Sequence, residues 1–164
     1  MKEEIVPVVD TKDKIIGMVS RKEMREKNIF HRIAHVVVFN SNGRIFVHRR
    51  TFKKDIYPGF YDMLIGGVVA KGETYHATAQ RELQEELGIK AKLHFLFKIK
   101  YEDKENKVFA KVYKCITGGL IRIQVEEILH GKFMEIQEVQ KLLKKEKFPK
   151  KSIMIFDKYL TSLK

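Results

Sequence analysis

Glu82, Glu85 and Glu86 lie close together in a stretch that also holds Glu73 and Arg81, and their spacing decides what they can do. In a helix, about 100° per residue places the three carboxylates within an arc of roughly 100°, where neighbouring oxygens can converge on one small cation. A ligand set made only of carboxylate oxygen suits Mg²⁺ or Mn²⁺, whereas zinc would require His or Cys. Hard divalent ions of that kind act chiefly on phosphate oxygens. A solvated helix face is the simpler account of an arbitrary glutamate triplet, and three features weigh against it. Glu82 and Glu86 form a like-charge pair at i,i+4. Glu85 and Glu86 fall in the last turn, where the helix dipole disfavours anions. Of the chain's 33 Lys and Arg, only Arg81 stands four residues from any of the three within the helix, opposite Glu85. The missing counter-charge is most simply a cation that is not a side chain.

The helix that must carry them is predicted over Tyr75 to Leu87, a run without proline or glycine. Ala79, Leu83 and Leu87 form its apolar stripe and Gly88 supplies the stop. Ahead of it, Gly66-Gly67 interrupts the apolar run Met63–Ala70, where a side chain would obstruct close approach of backbone to a ligand. The clearest hairpin is Ile33–Phe39 and Arg44–Arg49 joined through Asn42-Gly43. It delivers Arg49 and Arg50 to a basic loop running to Gly59. Arg49, Arg50, Lys53 and Lys54 are candidate phosphate contacts, and Phe52, Tyr57, Phe60 and Tyr61 candidate stacking faces. A surface loop with no ligand has the same composition.

The remaining chain reads as strands and helices in alternation. Ile5–Val9 and Ile15–Val19 flank a turn, and Ser20 with Glu23 forms a capping box for a short helix ending near Asn28. Beyond the glutamate helix, Lys90–Tyr101, Lys107–Thr117, Ile121–Val125 and Lys132–Ile136 are predicted strands. Gln137–Lys145 and Ser152–Leu163 are predicted helices, the second amphipathic through Ile153, Phe156, Tyr159 and Leu160. Strands mixed with segregated helices predict an α/β (α+β) architecture with a sheet covered on both faces. One domain over 1–164 is expected, with an extension at 1–30, a core at 31–146 and a terminal helix at 147–164.

Composition bounds the partners. With 44% apolar residues and only 13 Pro and Gly, the chain should be globular, and no repeat or low-complexity tract divides it. No apolar run reaches the length of a membrane span and no apolar segment follows Met1-Lys2-Glu3-Glu4, so a soluble, cytoplasmic protein with no membrane partner is expected. The single cysteine, Cys115, fits a reducing compartment and a packing role. A net charge of +12 is compatible with anionic small substrates, nucleic acid or an anionic surface. The densest basic stretch, Lys141 to Lys151, lacks interleaved aromatics, so nucleic acid is possible but not favoured.

The residues Gly67, Glu73, Arg81, Glu82, Leu83, Glu85, Glu86, Gly88 and Ile89 together match Gly-x5-Glu-x7-Arg-Glu-apolar-x-Glu-Glu-x-Gly-apolar. This pattern resembles the Nudix box at every defining position. The resemblance implies an α/β/α sandwich with a mixed β-sheet and a Mg²⁺- or Mn²⁺-dependent hydrolase cleaving a small-molecule diphosphate of the nucleoside diphosphate-X type. It further implies that Glu82, Glu85 and Glu86 bind metal and supply the base, that the Gly66 carbonyl is a further ligand, and that Glu73 and Arg81 form an ion pair orienting loop against helix. An acidic ligand from outside the box is expected at Glu126 or Glu127, with Glu127 carried forward and Glu102 or Glu105 as the second choice. The flanks, His31-Arg32, Arg49-Arg50, Lys54 and Tyr57-Pro58-Gly59, are similar to the isopentenyl-diphosphate isomerase-like branch. There the isomerase cysteine falls at Gly66 and a ligand histidine at Val68, so hydrolysis is the expected reaction and His31 is more simply a structural or substrate-side group. A non-catalytic nucleotide- or RNA-binding module and an isomerase are the alternatives, and a homodimer is the family's suggestion. Nucleobase, sugar, isoprenoid and coenzyme diphosphates would all be served by these residues.

Overall fold

A strand with apolar residues at every position but one must be covered on both faces, and Ile33–Phe39, interrupted only by His35, is such a strand. The computed structural model describes residues 2–164. The described residues form a nine-stranded mixed sheet and four helices. In chain order these are β1 (Ile5–Val9), β2 (Ile15–Ser20), α1 (Arg21–Glu26), β3 (His31–Asn40), β4 (Ile45–Arg50), β5 (Tyr61–Asp62) and β6 (Ile65–Val68). There follow α2 (Tyr75–Leu87), β7 (His94–Glu102), β8 (Lys107–Thr117), β9 (Ile128–Met134), α3 (Ile136–Lys145) and α4 (Lys150–Ser162).

β3 is the hub. One edge carries β8 in parallel over its whole length, from His31↔Val108 to Asn40↔Thr117. The other is shared by β1 at His31, β6 from Ile33 to Val36 and β4 at Phe39, all antiparallel. Its side chains alternate between two cores, as a period of two requires. Ile33, Val37 and Phe39 join Met24 of α1, Val139 of α3 and Ile155, Phe156 and Tyr159 of α4, while Ala34, Val36 and Val38 join Ala79, Leu83 and Leu87 of α2. The result is the α/β/α sandwich the sequence predicts. Cys115 of β8 is buried in the α2 layer, and no helix of the described residues is long and apolar enough to cross a membrane.

Several boundaries differ from the sequence reading. Ile121–Val125 is not a strand, because its amides go elsewhere: Arg122 N–H donates to the Leu87 carbonyl at 2.9 Å and Gln124 N–H to the Glu86 carbonyl at 2.8 Å. These donors satisfy carbonyls that the end of α2 would otherwise leave unpaired. The last strand runs Ile128–Met134, not Lys132–Ile136, because Glu135 already caps α3 in a capping box with Glu138. Lys90–Leu93 precede β7 without joining it. The run Met63–Ala70 contracts to β6, since the Leu64 amide donates to Asp62 Oδ1 at 3.1 Å and turns the chain just before it. α4 begins at Lys150, earlier than Ser152, and so places Lys151 within a turn of helix.

Candidate active site

The glutamate helix is fixed at both ends by local chemistry. Thr74 Oγ1 accepts from the Ala77 amide at 3.1 Å, and Gly88 closes the helix in the left-handed conformation at φ 66°. Leu83 and Leu87 are 1% and 0% exposed, and each such burial contributes about 2 kcal/mol toward seating the helix. Residues 82, 85 and 86 are thereby aimed at the strand end formed by Gly66-Gly67. A Cβ on Gly67 would stand 2.4 Å from Glu82 Oε1, so glycine is what lets this carboxylate lie against the backbone.

Arg81 organises the approach to the helix. Its Nε donates to Glu73 Oε1 at 2.8 Å and its Nη2 to Glu73 Oε2 at 3.1 Å, a bidentate pair, while Nη1 reaches Glu82 at 2.9 Å and Glu85 at 3.2 Å. Glu73 also accepts from Thr78 Oγ1 at 2.6 Å. The Arg81 bonds, with help from Thr78, hold the Glu73 carboxyl at about 2 against an ordinary 4.5, and Arg81 itself is raised. A depressed carboxyl contributes stability that is present above its unfolded value and lost as pH falls through its folded value. The stability difference between wild type and Glu73→Gln is therefore expected to hold steady above pH 4.5 and to close between pH 4.5 and about 2. Urea midpoints measured across that range check it.

Glu86 is in the opposite condition. It is 7% exposed, and burial, then the charges of Glu82 and Glu127, push its carboxyl well above the ordinary range. Burial also raises Glu82, with Arg81 opposing and the Glu85 charge adding to the rise. The loop after β4 brings in the fourth acid. Thr51 N–H donates to the Glu127 carbonyl at 3.1 Å and Thr51 Oγ1 to the Glu126 carbonyl at 3.0 Å, and Lys54 Nζ is ion-paired with Glu127. Glu127 lines the cavity; Glu126, Glu102 and Glu105 do not. Glu102 pairs with Lys107 at 3.5 Å on the distant β7–β8 hairpin.

These groups share a cavity of about 340 Å³ with basic residues drawn from further elements: Arg21 and Arg25 on α1, Arg50 at the end of β4 and Lys54 in the loop after it, and Lys151 on α4. Of the arginines expected at the substrate, Arg50 lines the cavity but spends Nε and Nη2 on the Tyr57 and Ile56 carbonyls, at 3.2 and 3.0 Å, and so positions the loop. Arg49 is not among the lining residues. Alternation along β4 turns it to the other face, where its guanidinium lies over the Phe52 and Tyr61 rings and donates to the Gly59 carbonyl. Tyr57 lines a contiguous cavity of about 710 Å³ that shares Arg21, Arg25, Asp55 and Ile56 with the first. His31 is 1% exposed, with Nδ1 against the Ile29 carbonyl at 2.8 Å, and lies outside the lining.

Among the described residues no three acidic, His or Cys side chains already stand in ligating geometry, since Arg81 and Lys54 engage Glu82, Glu85 and Glu127. The donor set nonetheless fits a hard divalent cation: oxygen alone, with a buried Glu86 carboxyl that no lysine or arginine pairs with among the described residues. Sequence reading missed Arg21, Arg25, Asp55 and Lys151. The i,i+4 spacing of Arg21 and Arg25 was the available signal for the first two, and His35, one polar residue in an apolar strand, was the signal for a site beneath β3.

The model of the Nudix domain matches residues 29–155. An uncharacterised Nudix hydrolase of Pseudomonas aeruginosa is 36% identical over 132 residues, covering 80% of this chain and 78% of that protein. A second, from Streptomyces coelicolor, is 37% identical over 141 residues, covering 84% and 78%. In three dimensions the chain is similar to the crystal structure of DR0079 from Deinococcus radiodurans, with a TM-score of 0.82 at 21% identity over 94% of this chain and 98% of that one. Together with the intact Gly67–Ile89 pattern, these matches make the chain a member of the Nudix family of hydrolases.

Proposed function

We propose that this chain is a Mg²⁺- or Mn²⁺-dependent hydrolase cleaving a small-molecule diphosphate of the nucleoside diphosphate-X type. The observation that carries this reading is the pairing, in one cavity, of Glu82, Glu85, Glu86 and Glu127 with a wall of Arg and Lys side chains, Glu4 and Asp55 completing the acidic lining. Glu82, Glu85, Glu86, Glu127 and the Gly66 carbonyl would hold the cations. A bound divalent ion supplies neutralisation of the diphosphate oxygens and a more acidic water.

The chain's own residues do the rest. Lys54, released from Glu127, and Arg21 and Arg25 draw the phosphates in and hold them for in-line attack. Glu86, kept basic by burial, takes the proton of the attacking water. The bond from phosphorus to the bridging oxygen breaks, and the leaving phosphate departs with that electron pair. Arg81 keeps Glu82 and Glu85 in place throughout. The organic group fits the contiguous cavity, where Ile56, Tyr57 and Pro58 offer flat and apolar surface.

Assay of the full chain against nucleoside and non-nucleoside diphosphates tests this. Phosphate release is expected with Mg²⁺ or Mn²⁺ and none in EDTA, and silence across the whole panel with either ion would sink the proposal. Isopentenyl diphosphate is expected to yield no dimethylallyl isomer, because Gly66 and Val68 stand where that chemistry needs its acid and ligand.

A further inference from the structure

The cavity holds a buried basic residue with no carboxylate partner among the described residues. Lys151, in the first turn of α4, is 5% exposed and lines the cavity from the layer opposite the glutamate helix. Among the described residues no carboxylate lies within ion-pair distance of its ammonium. Burial pushes it down to about 8, and the charges around it are of both signs: Asp62 and Asp103 favour the ammonium, Arg25 and Arg50 oppose it. Two neighbours in the same lining are also unsatisfied. His35, on β3, is 8% exposed with neither ring nitrogen hydrogen-bonded, and Arg25 leaves Nε and Nη1 without a hydrogen-bond partner, the nearest carboxylate oxygen being that of Asp55 at 3.4 Å. Stability alone selects against a buried unpaired ammonium beside unsatisfied donors. Three groups from α1, β3 and α4 with unmet hydrogen-bonding capacity meet at one cavity, and a bound anion would satisfy them.

We propose that Lys151, His35 and Arg25 form an anion subsite that grips the terminal, unesterified phosphate of the substrate. The inference rests on the hydrolase reading above and narrows it to organic diphosphates with a free end. Charge favours one class: the unpaired Lys151 ammonium, the Arg25 guanidinium shared with Asp55 and an imidazole suit a terminal phosphate dianion, whereas a diphosphate esterified at both ends offers one charge per phosphate. Space agrees, because the cavity of about 340 Å³ is lined mainly by charged groups, while the organic group has the contiguous 710 Å³ beside Tyr57.

Calorimetric titration of the full chain with inorganic pyrophosphate in EDTA separates this subsite from the metal site. Wild type is expected to bind. Lys151→Met is expected to weaken binding at least about tenfold while melting no lower than wild type, and Lys151→Arg to restore most of it. With Mg²⁺, Lys151→Met is expected to raise KM for ADP by a similar factor and to leave KM for ADP-ribose, esterified at both ends, unchanged. In unmodified protein, pyrophosphate should protect Lys151 from acetic anhydride, read by peptide mass spectrometry, which tests the subsite without any variant. Unchanged pyrophosphate affinity in Lys151→Met, or no protection of Lys151, overturns the subsite. Binding that depends on Lys151 without turnover of any diphosphate keeps the subsite and overturns the hydrolase.

Discussion

Glu86→Gln is expected to lower kcat by about 10³-fold and, in the same preparation, to raise the melting temperature of the protein in EDTA. The two effects share one cause. Glu86 is buried against Glu82 and near Glu127, and a carboxyl raised above its unfolded value binds a proton more tightly in the folded state. Its sign is therefore opposite to that of Glu73: folding loses stability as pH rises from the ordinary carboxylate value of 4.5 through the raised one. An amide of the same shape removes that loss, and each kcal/mol recovered is worth about 2–4 °C in a chain of this size. On the proposed mechanism it also removes the proton acceptor and a ligand. Melting curves at pH 5 and pH 8 with and without Mg²⁺ check the claim. Wild type should lose more on going to the higher pH than Glu86→Gln does, and Mg²⁺ should rescue wild type alone. A variant less stable than wild type at pH 8 in EDTA would mean that Glu86 is a structural carboxylate and that the functional assignment fails with it.

Gly66→Ala is expected to be the most destabilising single methyl group in the chain, costing about 3 kcal/mol or more. The added Cβ would sit 1.9 Å from the Ala34 carbonyl oxygen, at a residue whose φ is 155°. The atom it meets is backbone of β3, locked by β8 on one side and by the His35↔Gly66 register on the other, so neither partner can yield. Gly67→Ala provides the contrast. There the close atom is Glu82 Oε1, the far end of a flexible side chain at 2.4 Å, so stability should fall little while activity falls steeply. Urea midpoints beside kcat for the two variants separate a backbone constraint from a site constraint, and equal stability losses would refute the distinction.

What could be seen in the sequence was whatever is written locally. The α2 stripe, its glycine stop and the Asn42-Gly43 hairpin follow from spacing alone, and the carboxylate cluster followed from the helix. Facing was harder. Arg49 and Arg50 are adjacent, and only the pairing of β4 with β5 and β9 determines that Arg50 turns to the cavity and Arg49 to Phe52. Ile121–Val125 has strand composition, yet its amides serve the end of α2, a competition invisible without the partner. Lys151 was hidden by its company. In a run of lysines nothing local distinguishes the one that α4 buries from those left in solvent, as Lys150 is.

The parallel pairing of β3 with β8 joins residues 31–40 to residues 108–117, and that separation bears on how the molecule comes to exist. A long loop must close before the pairing returns anything, which places the chain among the slower folders, in the millisecond-to-second range. The cavity depends on the same long-range closure, since its walls run from Glu4 to Lys151. Ligand capture thus needs the whole chain in place, and a bound phosphate compound would hold the entire chain, rather than any fragment of it, in its native basin.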